Sequence, residues 1–322
     1  MTRVRLLVLV LGPLPIVAAS LLVSDWLRSP PRISASPNDI LVNGRGVALG
    51  ADLSLRTQVQ SLEKPCSETA IRLRKSLGDG CHVLSRPPFV IAGDMSEVDL
   101  QRWHRQTIGP AAEAMANTYF RTPPAKPITV LLFETEESYN RYAHDLFGDN
   151  GISVYGYYKP HLRTLVMNIA TGGGTLVHEL THALMDFDFP KVPDWFNEGL
   201  ASLHEQCTFR TGADGPWIEG LVNWRLAGLQ NTIRKERLRS LKTMIEANDF
   251  RGDLEGTNYA QARYFCLYLQ EKGLLRDFYK KFRAAADRDT LGAQTAGRLF
   301  PDLSWQELDI EFQAWVMTLK YE

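Results

Sequence analysis

Residues 172–189 read GGGTLVHELTHALMDFDF, and the work done by its two histidines decides both fold and chemistry. Leu176, Val177, Leu180, Ala183 and Leu184 make the stretch apolar nearly all round, the pattern of a buried helix. Three glycines and Thr175, as N-cap, mark its start. Residues four apart on a helix lie one above the other, so His178 and His182 point the same way. Both imidazoles can then reach one metal ion. Zinc suits them, because a neutral imidazole nitrogen binds it at about 2.0–2.1 Å. Glu179 stands about 100° further round the helix. That is a poor place for a third ligand and a good one for a base that takes a proton from water on the metal. At this chain's His and Glu content an HExxH string arises by chance in about one sequence in a hundred. The rival reading is two surface histidines flanking a salt-bridging glutamate. The apolar surroundings oppose it, because a buried carboxylate needs a partner.

A catalytic zinc takes three protein ligands and keeps one position open. The stretch VPDWFNEGLASLHEQ, 192–206, supplies the third. Pro193 and Asp194 mark a helix start, and Glu198 falls in its first turn or two, with fifteen residues between it and His182. A short connection makes two such helices neighbours, so Glu198 can face the histidine pair.

HELTH followed by PDWFNEGLA resembles the gluzincin zinc metallopeptidases of the peptidase MA-like superfamily. The likeness covers about residues 88–320 in layout and is specific over roughly 175–205. It implies a zincin-like fold, a Zn2+ cofactor held by His178, His182 and Glu198, and Glu179 as general base acting on a peptide or protein substrate. In that family a Tyr or His from the helical C-terminal part stabilises the oxyanion. Tyr259, in GTNYAQARYF, stands at the corresponding helix start, with Tyr264 and His204 in reserve. The resemblance also implies an edge strand that binds substrate backbone by β-augmentation, a place that TLVMNIA, 164–170, fits.

The rest of the chain gives the setting. At 322 residues it can bury a large core. The formal net charge of -1 gives no surplus to attract nucleic acid. The first 28 residues carry Arg3 and Arg5 ahead of an apolar run over 6–23, the layout of a signal peptide or a membrane anchor, so an exported protein is expected. In an oxidising compartment, the even set Cys66, Cys81, Cys207 and Cys266 leaves room for two disulfides, Cys66 with Cys81 and Cys207 with Cys266 among the three possible pairings. Cys266, in an apolar run, could equally be a buried free thiol. His82, His104, His144 and His161 stand alone and read as surface or packing residues.

The expected class is α+β, a small mixed sheet with an active-site helix followed by a mostly helical C-terminal subdomain. Residues 29–87 read as linker and accessory region, 88–205 as the sheet subdomain, and 206–322 as the helical one. Strands are expected in PPFVIAGD, in KPITVLLF and on either side of a turn at 159–162. A helix from Ser96 is expected to be kinked or split at Pro110. Past residue 205 the strand signals fade, and 219–233 reads as helix. These readings predict an exported zinc peptidase. The alternative is a non-catalytic, zinc-stabilised binding or envelope-assembly protein that keeps the metal site.

Overall fold

The computed structural model describes residues 61–247 and 249–321. The expected leader over 1–28, and the 29–87 stretch as far as residue 60, lie outside the described residues. No helix among the described residues is long and apolar enough to cross a membrane.

The chain opens on helix α1 (Glu63–Leu77) and strands β1 (His82–Arg86) and β2 (Phe89–Gly93). Helices α2 (Glu97–Trp103) and α3 (Gly109–Thr118) follow, then strand β3 (Ile128–Phe133) and helix α4 (Glu136–Phe147). Strands β4 (Gly156–Lys159) and β5 (Thr164–Asn168) lead into the long helix α5 (Gly173–Asp188), and a short loop into α6 (Asp194–His204). A hairpin, β6 (Cys207–Gly212) and β7 (Gly215–Gly220), precedes the last helices: α7 (Leu226–Arg234), α8 (Leu241–Glu246), α9 (Glu255–Glu271), α10 (Leu275–Ala285), α11 (Ala293–Gly297) and α12 (Trp305–Thr318).

Five strands form one mixed sheet in the order β1-β2-β3-β5-β4. The central β2, β3 and β5 run parallel, and β1 and β4 close the edges antiparallel. The central three are buried along their whole length, which is why they read as unbroken apolar runs. Successive residues face opposite sides. Val130, Leu132, Leu165 and Met167 meet Leu176 and Leu180 of α5 on one side. Leu131, Phe133 and Val166 meet Tyr139 and Ala143 of α4 on the other. The α5 cluster continues without a break through Phe196 and Leu200 to Phe265, Phe278 and Phe312 in the C-terminal helices. Each of these fully buried side chains contributes about 1.5–3 kcal/mol of transfer free energy.

The α+β class and the small mixed sheet are as expected, and four details differ. First, the sheet starts earlier than residue 88: β1 lies within the 29–87 stretch and pairs with β2 across all five of its residues. Second, the strand over 164–168 is not an edge. It lies between β3 and β4, and β4 holds the free edge. Third, Thr175 is not the cap of α5. Gly172, with φ 101° and ψ 171°, turns the chain into the helix three residues sooner, in a region open essentially to glycine alone. Fourth, residues 207–220 are a hairpin where helix was expected from 219 onwards. Its two-residue turn is Ala213-Asp214, and β7 opens on Gly215 at φ 99°; Asp-Gly between strand-like runs is a hairpin signal. Pro110 does split the helix from Ser96. One wide turn over His104–Ile108 separates α2 from α3, which carries the proline in its first turn, where no donor is missed.

All four cysteines are free thiols. Cys66 packs with Leu62, Ala70 and Val90, while Cys81 belongs to the separate cluster around Phe133. Cys266 is buried in the main core, and Cys207 sits at its margin. Burial pushes the Cys66 thiol up to about 11 and that of Cys207 to about 12.

Candidate metal centre

Helix α5 projects His178 and His182 one turn apart, and α6 projects Glu198 towards them. The two Nε2 atoms lie 3.0 Å apart. Glu198 Oε2 is 3.4 Å from His178 Nε2 and 3.5 Å from His182 Nε2. Ligand atoms about 2.0–2.1 Å from a tetrahedral ion stand about 3.3 Å from one another, so the three separations fit the edges of one face of such a site. These three residues form a group that could hold a metal ion. The donor set of two imidazoles and one carboxylate matches that of a zinc site with an open position.

Outer contacts fix each of these three side chains. His182 Nδ1 is 2.8 Å from Asn197 Oδ1. An amide oxygen only accepts, so that nitrogen carries the proton and Nε2 keeps its lone pair for a metal. His178 Nδ1 lies 3.2 Å from Glu205 Oε1, although without hydrogen-bond geometry. Arg225 holds both oxygens of Glu205, at 2.9 and 3.1 Å, which keeps that carboxylate beside the ring. Arg251 donates to the other oxygen of Glu198, and its second terminal nitrogen lies 3.1 Å from the Tyr259 hydroxyl. Glu198 therefore presents one oxygen to the histidines and spends the other on a guanidinium.

The charges are strongly coupled. Burial lowers the His178 pKa, but the carboxylates of Glu198 and Glu205 outweigh it and push the ring up to about 10. Burial raises that of Glu198, and the two imidazoles reverse this and hold it far below the usual carboxylate range. Glu205 is likewise pushed down, to about 2, by His178 and Arg225 against its burial. A metal ion must displace a proton from this cluster in order to enter.

The glycines that open α5 have a packing role. A Cβ on Gly174 would overlap the backbone carbonyl oxygen of Glu205, so the first turn of α5 touches the residue just past α6. Gly199, next to Glu198, does the same on the other side: a Cβ there would meet the Ala262 backbone at 3.0–3.1 Å. Two close approaches hold α6 between α5 and α9 and set where Glu198 stands.

A cleft of about 560 Å³ opens over the trio. Glu179 lines it, and no described residue hydrogen-bonds its carboxylate. Tyr259 lines it too, near the start of α9, with burial as the first cause holding its hydroxyl proton on well above the ordinary value and Glu198 as the second. The reserves do not reach the cleft. Tyr264 is buried and bonds the backbone of Asn223 through its hydroxyl. His204 is fully buried against Thr181, at 2.9 Å, and burial pushes it down to about 3. Edge strand β4 supplies Gly156, Tyr157 and Tyr158 to the wall. Asn197, Glu205, Arg225 and Arg251 were not among the residues expected from sequence: Asn197 stands beside Glu198 within α6 and Glu205 just past its end, both in the quoted 192–206 stretch, but nothing in the spacing marks Arg225 or Arg251. No family model and no curated protein matches the chain.

Proposed function

We propose that this chain is a zinc peptidase of the gluzincin type on a zincin-like fold, which hydrolyses peptide bonds in an exported setting. One observation carries the reading: three ligand atoms, those of His178 and Glu198 on buried residues and that of His182 on a half-buried one, face one another at 3.0–3.5 Å on the floor of an open cleft, with a glutamate beside them that no described residue hydrogen-bonds through its carboxylate. His178, His182 and Glu198 would hold the ion. When bound there, zinc supplies a water acidic enough to ionise near neutrality and a Lewis acid for a carbonyl.

The chain's own residues do the rest. Glu179, whose carboxylate no described residue hydrogen-bonds, accepts the proton of the attacking water and returns it to the leaving amine. Tyr259 faces the cleft with its hydroxyl proton held on firmly, and so serves as a donor to oxygen charge developing on the substrate. Arg251 fixes the direction of that phenol. The free edge of β4, in the wall of the cleft, offers backbone donors and acceptors to an extended substrate. The role expected for residues 164–170 passes to 156–159, because β4 covers β5.

The test pairs metal analysis with a peptide-library digest by wild type and by Glu179→Gln. The reading expects one zinc per chain in both proteins, turnover in wild type, and a loss of at least a thousandfold in the variant. Zinc without turnover at any pH would favour the non-catalytic binding protein instead. No bound metal would remove both readings.

A further inference from the structure

Asp186 stands one helical turn beyond His182, on the same face of α5 as both histidines, and it lines the cleft. Its carboxylate is held by the Tyr158 hydroxyl, which donates to Oδ2 at 3.1 Å. Tyr158 belongs to the edge strand β4. Among the described residues Asp186 has no cationic partner, and its second oxygen has no hydrogen bond. The adjoining wall is apolar: Phe189, Pro190, Val192 and the Tyr158 ring line the same cleft.

Charge points the same way. The cleft is lined by Glu179, Asp186, Glu198 and Glu255, and its cationic groups, the Arg251 guanidinium and the His178 position with any ion held there, sit around Glu198 and form no ion pair with Asp186. That guanidinium is engaged by Glu198 and lies 4.0 Å from Glu255. Asp186 is thus a held but uncompensated carboxylate beside an apolar wall. A long side chain with a hydrocarbon stem and a cationic head complements both parts.

Resting on the peptidase reading above, we propose that Asp186 forms a subsite for an arginine or lysine side chain of the substrate. Four residues along a helix advance about 6 Å, and an extended peptide advances about 3.3 Å per residue. The side chain selected is therefore one or two residues from the scissile bond. Arginine is preferred over lysine, because a planar guanidinium can engage the free oxygen and stack on Tyr158 or Phe189.

The experiment uses the full-length zinc-loaded protein. Arg, Lys, Leu and Glu are scanned through each position around a bond that it cleaves, in wild type, Asp186→Asn and Asp186→Lys. A preference of about 10–100-fold in kcat/KM for Arg or Lys is expected at one position. Asp186→Asn erases it, mainly through KM, and Asp186→Lys moves it to Glu. The same peptides are bound to the Glu179→Gln protein and followed by fluorescence anisotropy, which keeps the subsite test independent of turnover. Arg-selective binding that depends on Asp186, without cleavage by wild type, would sustain the subsite and remove the peptidase reading. No preference for a cation in either assay, or one that survives Asp186→Asn, overturns the subsite.

Discussion

Glu205→Gln separates the tuning of the metal centre from its ligands. The substitution keeps the shape of a side chain whose two oxygens are bound by Arg225 at 2.9 and 3.1 Å, and it removes the charge 3.2 Å from His178 Nδ1. Loss of an outer carboxylate behind a ligating imidazole typically costs 10–100-fold in metal affinity, or about 1.4–2.7 kcal/mol. A second cost falls on folding, because Arg225 keeps its charge and loses its counter-ion. A fully buried pair broken on one side costs about 3–5 kcal/mol. Here both side chains are 17% exposed, so solvent reduces that to about 2–3 kcal/mol. The double variant Glu205→Gln/Arg225→Met removes the stranded cation, and it should recover most of the lost stability but none of the lost affinity. Competition with a chromophoric chelator at pH 7.5 reads the first quantity, and urea unfolding with excess chelator reads the second. If the single variant binds zinc within twofold of wild type, the reasoning that Glu205 tunes His178 is wrong.

Acidity supplies the next test. His178 is raised in the metal-free fold from 6.5 to about 10, so its stabilising share is whole below 6.5 and fades as pH climbs through 10. Glu198 is depressed from 4.5, so its share is present above 4.5 and fades on acidification. With chelator present, the urea midpoint should therefore peak between these two ordinary values, and a flat profile would contradict the coupling. Zinc entry expels the His178 proton, so affinity should rise about tenfold per pH unit between 6.5 and 10; a slope of zero in the chelator assay refutes it. Gly199→Val should lower stability by about 1–3 kcal/mol in urea, since the α9 backbone leaves no space for the added methyls. An unchanged midpoint would show that α6 and α9 are not locked there. Alkylation in denaturant without reductant should add four labels, one per free thiol; two or none would mean that disulfides are present.

The parts of this molecule that were legible in its sequence are those governed by local periodicity. The i, i+4 histidines, the apolar runs of β2, β3 and β5 and the split at Pro110 each depend on neighbours within a few residues. The approach of Glu198 was also readable, because only a five-residue loop separates α5 from α6. What escaped depends on distant partners. Nothing near residue 164 reveals that β4 folds back to cover β5 and become the edge. Arg225 and Arg251 reach the site from 20 and 53 residues beyond their carboxylates. The glycines at 172–174 read as a turn, whereas the reason for Gly174 is a carbonyl thirty-one positions later. The cysteines mislead for a related reason: even number and spacing permit bridges, but each thiol is drawn into its own apolar surroundings.

One guanidinium serves both the Glu198 carboxylate and the Tyr259 phenol. Because Arg251 touches Glu198 and Tyr259 together, positions 198, 251 and 259 form one epistatic unit. An engineer who seeks a different metal or a reshaped cleft has to randomise all three at once, since single changes would be judged against neighbours still fitted to the original arginine.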